Sequence, residues 1–285
     1  MSTLKKFAAA VVAAGAMAAM MPASAVIVGG IDFGALGASA HIETGSIAAT
    51  FANAVGNTPQ SYGLISTINS DSTYCADGTA NCSLYYTTTA TVSNFTAPFL
   101  YLSGTRVNVY YSPVAAANLL GQDSLANLAF ITGLTLWATL GGENGVDGSA
   151  AGLAADTKLS QAILGVGAGS LSVSGGGLLS INTTDGLGIA AVEAYLNAST
   201  IPTAAGTFAD IIYTESGSNL VLNPFDLAGP LADSCQSRAL TVGDWCIQGS
   251  ADLRGNAAVV PEPGSMALLG LALLALGATR RVVKR

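Results

Sequence analysis

The feature that most constrains this chain is a repeated alternation of apolar and hydroxylated residues, interrupted by glycine. Ile42-Glu43-Thr44-Gly45-Ser46-Ile47 and Tyr62-Gly63-Leu64-Ile65-Ser66-Thr67-Ile68 show it well. A period of two places successive side chains on opposite faces of an extended strand, whereas a helix needs apolar residues three and four apart. Further strands are predicted at Ser83 to Val92, Phe99 to Tyr111 and Leu128 to Leu140, where Thr, Tyr, Val, Ile and Phe dominate. In the last of these, Phe130, Thr132, Leu134, Leu136, Ala138 and Leu140 share the face expected in the core. Residues 141 to 158 read as a polar loop. Two strands are expected between Gln161 and Ile181, with the glycine triplet 175 to 177 as the turn joining them. That triplet is no phosphate loop, because Leu178-Leu179 follow it in place of Lys and Ser or Thr. Ile189 to Leu196 has helical spacing, with Thr184 or Asp185 nearby to cap it, and is expected to be the longest helix of the body. Asp210 to Leu222 reads as a hairpin: Ile211, Ile212 and Tyr213 face Leu220, Val221 and Leu222 across Ser216-Gly217-Ser218-Asn219. No repeat of fixed period emerges. The expected fold is mainly β, an antiparallel β-sandwich or jelly-roll with one or two short helices.

Charge is scarce and unevenly placed. Only 9% of residues are charged and 34 are glycine, a composition of short strands and turns that speaks against an intracellular enzyme. Lys5, Lys6, Arg280, Arg281, Lys284 and Arg285 lie at the two ends. Between them the chain keeps sixteen acids against four bases, Arg106, Lys158, Arg238 and Arg254, a formal charge of -12. Such a surface repels phosphate backbones, and nucleic acid is not expected as a partner.

The ends have their own logic. Lys5-Lys6, the apolar run Phe7 to Met21, Pro22 and the small-residue site Ala23-Ser24-Ala25 have the layout of a secretory signal, with cleavage expected after Ala25. At the other end, Pro261-Glu262-Pro263 precedes an uncharged stretch from Met266 to Ala278 and then the basic end Arg280, Arg281, Lys284 and Arg285. The prolines prevent a helix from extending backwards, so the predicted apolar helix begins near Gly264. From there to Thr279 it would span about 24 Å at 1.5 Å per residue, short of a bilayer core of about 30 Å. Such a length suits a temporary anchor, and the basic end holds it on the cytoplasmic side.

The triplet, apolar helix and basic end, taken in that order, resemble the PEP-CTERM sorting signals of exported proteins of Gram-negative bacteria. The resemblance covers about the last 25 residues. It implies processing near the motif by an exosortase, transient membrane attachment, and a destination at the cell surface or in the extracellular matrix. It also implies an association with exopolysaccharide, biofilm or floc formation. The expected organisation is a signal peptide at 1–25, removed by signal peptidase, one exported β-rich domain at 26–258, and the sorting signal at 259–285.

Four cysteines, Cys75, Cys82, Cys235 and Cys246, fall in a chain addressed to an oxidising compartment, so disulfides are the default. Three connectivities are possible, and the expected one joins the local pairs Cys75 with Cys82 and Cys235 with Cys246. A four-cysteine zinc site would use Cys-x-x-Cys knuckles, which this chain lacks. Catalytic constellations are scarce. The single histidine, His41, has no Gly-x-Ser-x-Gly elbow to serve and reads as a surface or half-buried strand residue. Glu143 and Asp147 are the closest loop carboxylates, and neither Asp147-Gly148 nor Asp77-Gly78 completes a calcium loop. Tyr85, Tyr86, Tyr101, Tyr110 and Tyr111 could form a sugar-stacking platform, but cross-strand core packing is the stronger reading. No catalytic, metal or cofactor-binding residue is assigned, and no cofactor is expected. The leading expectation is a non-enzymatic exported matrix protein; a secreted glycan-active enzyme and a calcium-stabilised adhesion module are the alternatives.

Overall fold

The computed structural model describes residues 25–35, 39–96, 98–121, 123–143, 157–163, 171–182, 185–203, 206–219 and 240–258. Its strands are β1 (Ala25–Val28), β2 (Ile31–Ala35), β3 (Ser39–Ala49), β4 (Gln60–Ile68), β5 (Ser83–Thr96), β6 (Phe99–Ser112), β7 (Thr135–Gly142), β8 (Thr157–Ile163), β9 (Leu171–Ile181), β10 (Ile201–Pro202), β11 (Phe208–Ala209), β12 (Ile211–Ser218) and β13 (Ile247–Asn256). Two helices join them, α1 (Ser124–Thr132) and α2 (Ala190–Leu196). Among the described residues no helix is long and apolar enough to cross a membrane.

Nine strands form one antiparallel sheet in the order β12-β13-β3-β4-β5-β6-β7-β9-β8, and β12 also pairs with β9 while β6 pairs with β8. These extra pairings close the sheet. β6 pairs with β8 through Phe99–Leu102 and with β7 through Arg106–Tyr111. β9 meets β8 along Leu171–Gly177 and β7 at Leu179–Ile181. β7 and β8 therefore share one place in the wall, and the result is an eight-strand, barrel-like sandwich. Closure removes the free edges that an open sheet would expose. The mainly antiparallel β class with two short helices stands as the alternation indicates.

The period-two pattern decides what fills the barrel. Ile42, Ile65, Leu84, Tyr86, Val107, Val109, Leu140, Leu179, Ile211 and Leu253 join one buried cluster. At one end this cluster continues into the hairpin of β1 and β2 and into α2, through Ile31, Phe33, Val192, Tyr195 and Leu196. The hairpin turns at Gly29-Gly30, both at positive φ (57° and 85°), as a two-residue turn of its twist requires. A side chain at Gly29 would collide with Val192 and Trp137, and Trp137 Nε1 donates 2.9 Å to the Gly29 carbonyl. The rings of Phe33 and Tyr195 lie 4.7 Å apart. Cys75 and Cys82 are disulfide-bonded, and the loop they close is stitched to the hairpin by Asp32 N to Tyr74 O (2.8 Å) and Ala76 N to Gly30 O (2.9 Å). Cys246 is also disulfide-bonded; Cys235 lies outside the described residues.

Five sequence expectations are corrected. Leu128 to Leu140 is not one strand, because its first half belongs to α1 and only Thr135 onward is β7. Asp123 caps α1 by accepting from Ala126 N (2.7 Å), and Gly133 ends it. Buried Asn127 pins it to the sheet, donating to the Tyr62 hydroxyl (2.9 Å) and the Leu119 carbonyl (2.8 Å). A cap and a tertiary anchor thus override β propensity. At nine residues α1 is longer than α2, so α2 is not the longest helix. The triplet 175 to 177 is no turn but the middle of β9, and Ser216-Gly217-Ser218 is no turn but the end of β12. Ile211, Ile212 and Tyr213 pair with Gly255, Arg254 and Leu253, not with Leu220, Val221 and Leu222, the last three of which lie outside the described residues. The reason is backbone proximity. A Cβ on Gly176 would strike the Tyr213 carbonyl, one on Gly249 the Ser216 carbonyl, and one on Gly255 the Asp210 carbonyl. These glycines let β12 lie close between its two neighbours. The polar loop expected at 141 to 158 begins and ends as strand, at Gly142 in β7 and Thr157 in β8.

Candidate functional site: a carboxyl in the barrel cavity

Of the residues singled out for processing, Ala25 opens β1, opposite Ala35. The expected cleavage after it leaves Val26 to Val28 in the strand. Ala23, Pro261, Glu262, Pro263, Arg280, Arg281, Lys284 and Arg285 lie outside the described residues, as does Asp147. Tyr85, Tyr86, Tyr101 and Tyr110 are all buried and Tyr111 is half-buried, the core-packing arrangement rather than a wet platform. Tyr85 stacks edge-on against Phe130 of α1, 5.4 Å between ring centres, and its hydroxyl accepts from Ala117 N at 2.7 Å.

His41 is half-buried on β3, as expected, and it has neighbours that the linear reading did not bring together. Its Nε2 is 3.3 Å from Glu43 Oε1, and Asp252 is paired with Glu43 across β3 and β13. One ligand atom from each of His41, Glu43 and Asp252 lies within 4.8 Å of the others, so these residues could hold a cation. Both carboxylates already have protein partners: Thr67 donates to Glu43 (2.6 Å) and Arg254 to Asp252 (3.2 Å).

A more unusual group lies inside the barrel. Along β12, Ile211, Tyr213, Glu215 and Gly217 share the inward parity, so the alternation carries a carboxyl into the interior. Glu215 lines a semi-enclosed cavity of about 80 Å³ in the half of the barrel away from α2. Ala49, Ala90, Leu100, Leu102, Val173 and Ile247 contribute its apolar wall, and Thr50, Ala52 and Pro59 bound it from the loop after β3. No hydrogen bond from the described residues reaches the Glu215 carboxyl. Partial burial raises its pKa from 4.5 to about 7, because the charged form has lost part of its hydration without gaining a partner.

Beneath it are two more polar groups. The Tyr86 hydroxyl is buried beside Thr44 without a well-aligned hydrogen bond. Burial pushes its pKa well up, and the Glu215 charge adds to the effect. Thr44 sits where the register of β3 shifts, and there its hydroxyl replaces the interrupted ladder, accepting from Ala251 N (2.8 Å) and donating to Ala251 O (3.2 Å). Thr44, Tyr86 and Glu215 thus form a polar belt between the apolar cluster at the α2 end and the cavity. The linear reading missed Glu215 because it placed the following residues in a turn; the inward parity of Ile211 and Tyr213 was the available signal.

The body is therefore a closed antiparallel β-barrel with an internal cavity. The PEP-CTERM protein-sorting motif matches residues 259–281. The motif implies export, membrane-associated sorting and processing by an exosortase. Comparison with curated proteins and with solved structures finds no match.

Proposed function

We propose that this chain is a non-enzymatic, exported component of the cell surface or extracellular matrix of a Gram-negative bacterium. It is released from its transient membrane anchor by sorting-signal processing and associates with exopolysaccharide in biofilm or floc. The observation that carries this reading is the sorting motif at 259–281, joined to a body with sixteen acids and four bases. An acidic, closed barrel stays soluble at high local concentration and does not offer strand edges for aggregation. Binding is favoured over turnover because Glu215 is the one carboxyl among the residues lining the cavity, whereas glycan hydrolysis uses two carboxyl groups acting across one bond.

Deleting the gene tests this reading. The expected result is reduced cell aggregation and reduced retention of polysaccharide, restored by the gene in trans. Unchanged aggregation and retention would overturn it.

A further inference from the structure

Three features of the cavity bear on what it can hold. Its wall is apolar, contributed by Ala90, Leu100, Leu102, Val173 and Ile247. It contains one strong acceptor, the Glu215 carboxyl, which has no hydrogen-bond partner among the described residues. On the side of the loop after β3 it is bounded by Thr50, Ala52 and Pro59. The Glu215 side chain is half-buried on the chamber wall, and a carboxyl set among apolar groups without a protein partner gives up part of its hydration with nothing in return. Side chains that only filled a core would remove this cost with Gln, Leu or Met at the same inward position.

We propose that this cavity binds a small aliphatic amine, its apolar chain against Leu100, Leu102 and Val173 and its ammonium donating to Glu215. An ammonium offers three donors and no acceptor, which matches a site with a single carboxyl. It also neutralises the charge that the cavity leaves unscreened. A neutral alcohol of the same length satisfies the hydrogen bond but not the charge, and so binds more weakly. Above pH 7, where Glu215 is ionised, a carboxylate of that length meets it with like charge and is rejected, so the ligands are compared at about pH 8. Size limits the chain: an apolar cavity of about 150 Å³ holds benzene, so about 80 Å³ encloses about three non-hydrogen atoms, and the rest of a four-carbon chain extends through the open side of this semi-enclosed cavity.

The test is titration of the purified exported protein with n-butylamine, n-butanol and butyrate, followed by amide chemical shifts and calorimetry. The expected result is saturable binding of butylamine with shifts on β9, β12 and β13, weaker binding of butanol and none of butyrate. Glu215→Gln is expected to weaken butylamine at least ten-fold while leaving butanol within about three-fold. Val173→Phe, which fills the chamber, is expected to abolish both with an unchanged circular dichroism spectrum, and it keeps the test decisive should Glu215→Gln fail to fold. Absence of butylamine binding, equal binding to Glu215→Gln, or binding that survives Val173→Phe would overturn the proposal.

Discussion

Glu215 shows how one residue couples burial to solution conditions. In the folded barrel its carboxyl keeps its proton up to about pH 7, whereas the unfolded chain ionises it near 4.5. The folded state therefore binds more protons between these values, and stability falls as pH rises across that window and levels off above it. The full penalty is at most on the order of 3 kcal/mol, reduced by whatever water the cavity admits. Glu215→Gln is expected to flatten the melting temperature between pH 4.5 and 7 and to raise it at pH 8; an unchanged pH profile would show that Glu215 is not the source. The strand glycines make a second residue-scale case. Gly249→Ala forces a methyl group into the Ser216 carbonyl and is expected to cost about 2 to 4 kcal/mol in denaturant unfolding. Gly141→Ala, which meets open space, is expected to stay within about 0.5 kcal/mol.

Among the elements, the hairpin of β1 and β2 and the helix α2 act as a plug, and the loop closed by Cys75 and Cys82 holds the plug in register. The bond spans seven positions, and closing so short a loop contributes about 2 to 3 kcal/mol in the chain-entropy account. Replacing both cysteines by alanine is expected to lower stability by that amount and to raise amide exchange first in Ile31 to Phe33 and Tyr74 to Ala76, while β5 and β6 stay protected. Uniform loss of protection would mean that the loop supports the whole barrel rather than its end. On the other side α1 covers Tyr62 and Tyr85 through Asn127 and Phe130, and this is why tyrosines that alternate along exposed-looking strands end up buried.

At the scale of the whole molecule, the C-terminal sorting motif gives the address and the barrel provides what is delivered. Replacing Pro261, Glu262 and Pro263 with alanine is expected to leave the C-terminal segment attached, seen as an increased intact mass and retention in the membrane fraction; release with the normal mass would show that the motif is not what the processing machinery reads. The address is legible in the sequence because it is written locally: contiguous residues, in order, recognised by an enzyme or by the bilayer without any fold. The β class was legible for a similar reason, since alternation is a property of neighbours along the chain, and strands such as Ser83 to Thr96 and Phe99 to Ser112 lie where the pattern puts them. What only the tertiary structure decided depends on contacts between distant segments. Local signals make Gly175 to Gly177 and Ser216 to Ser218 turns, but the close approach of β9, β12 and β13 makes them strand. Propensity extends Leu128 to Leu140 as one strand, but the Asp123 cap and the Tyr62 anchor fold its first half into a helix. Glu215 looks like one of sixteen surface acids until the sheet closes; closure turns its face inward, strips part of its hydration and leaves it the one carboxyl lining an apolar chamber.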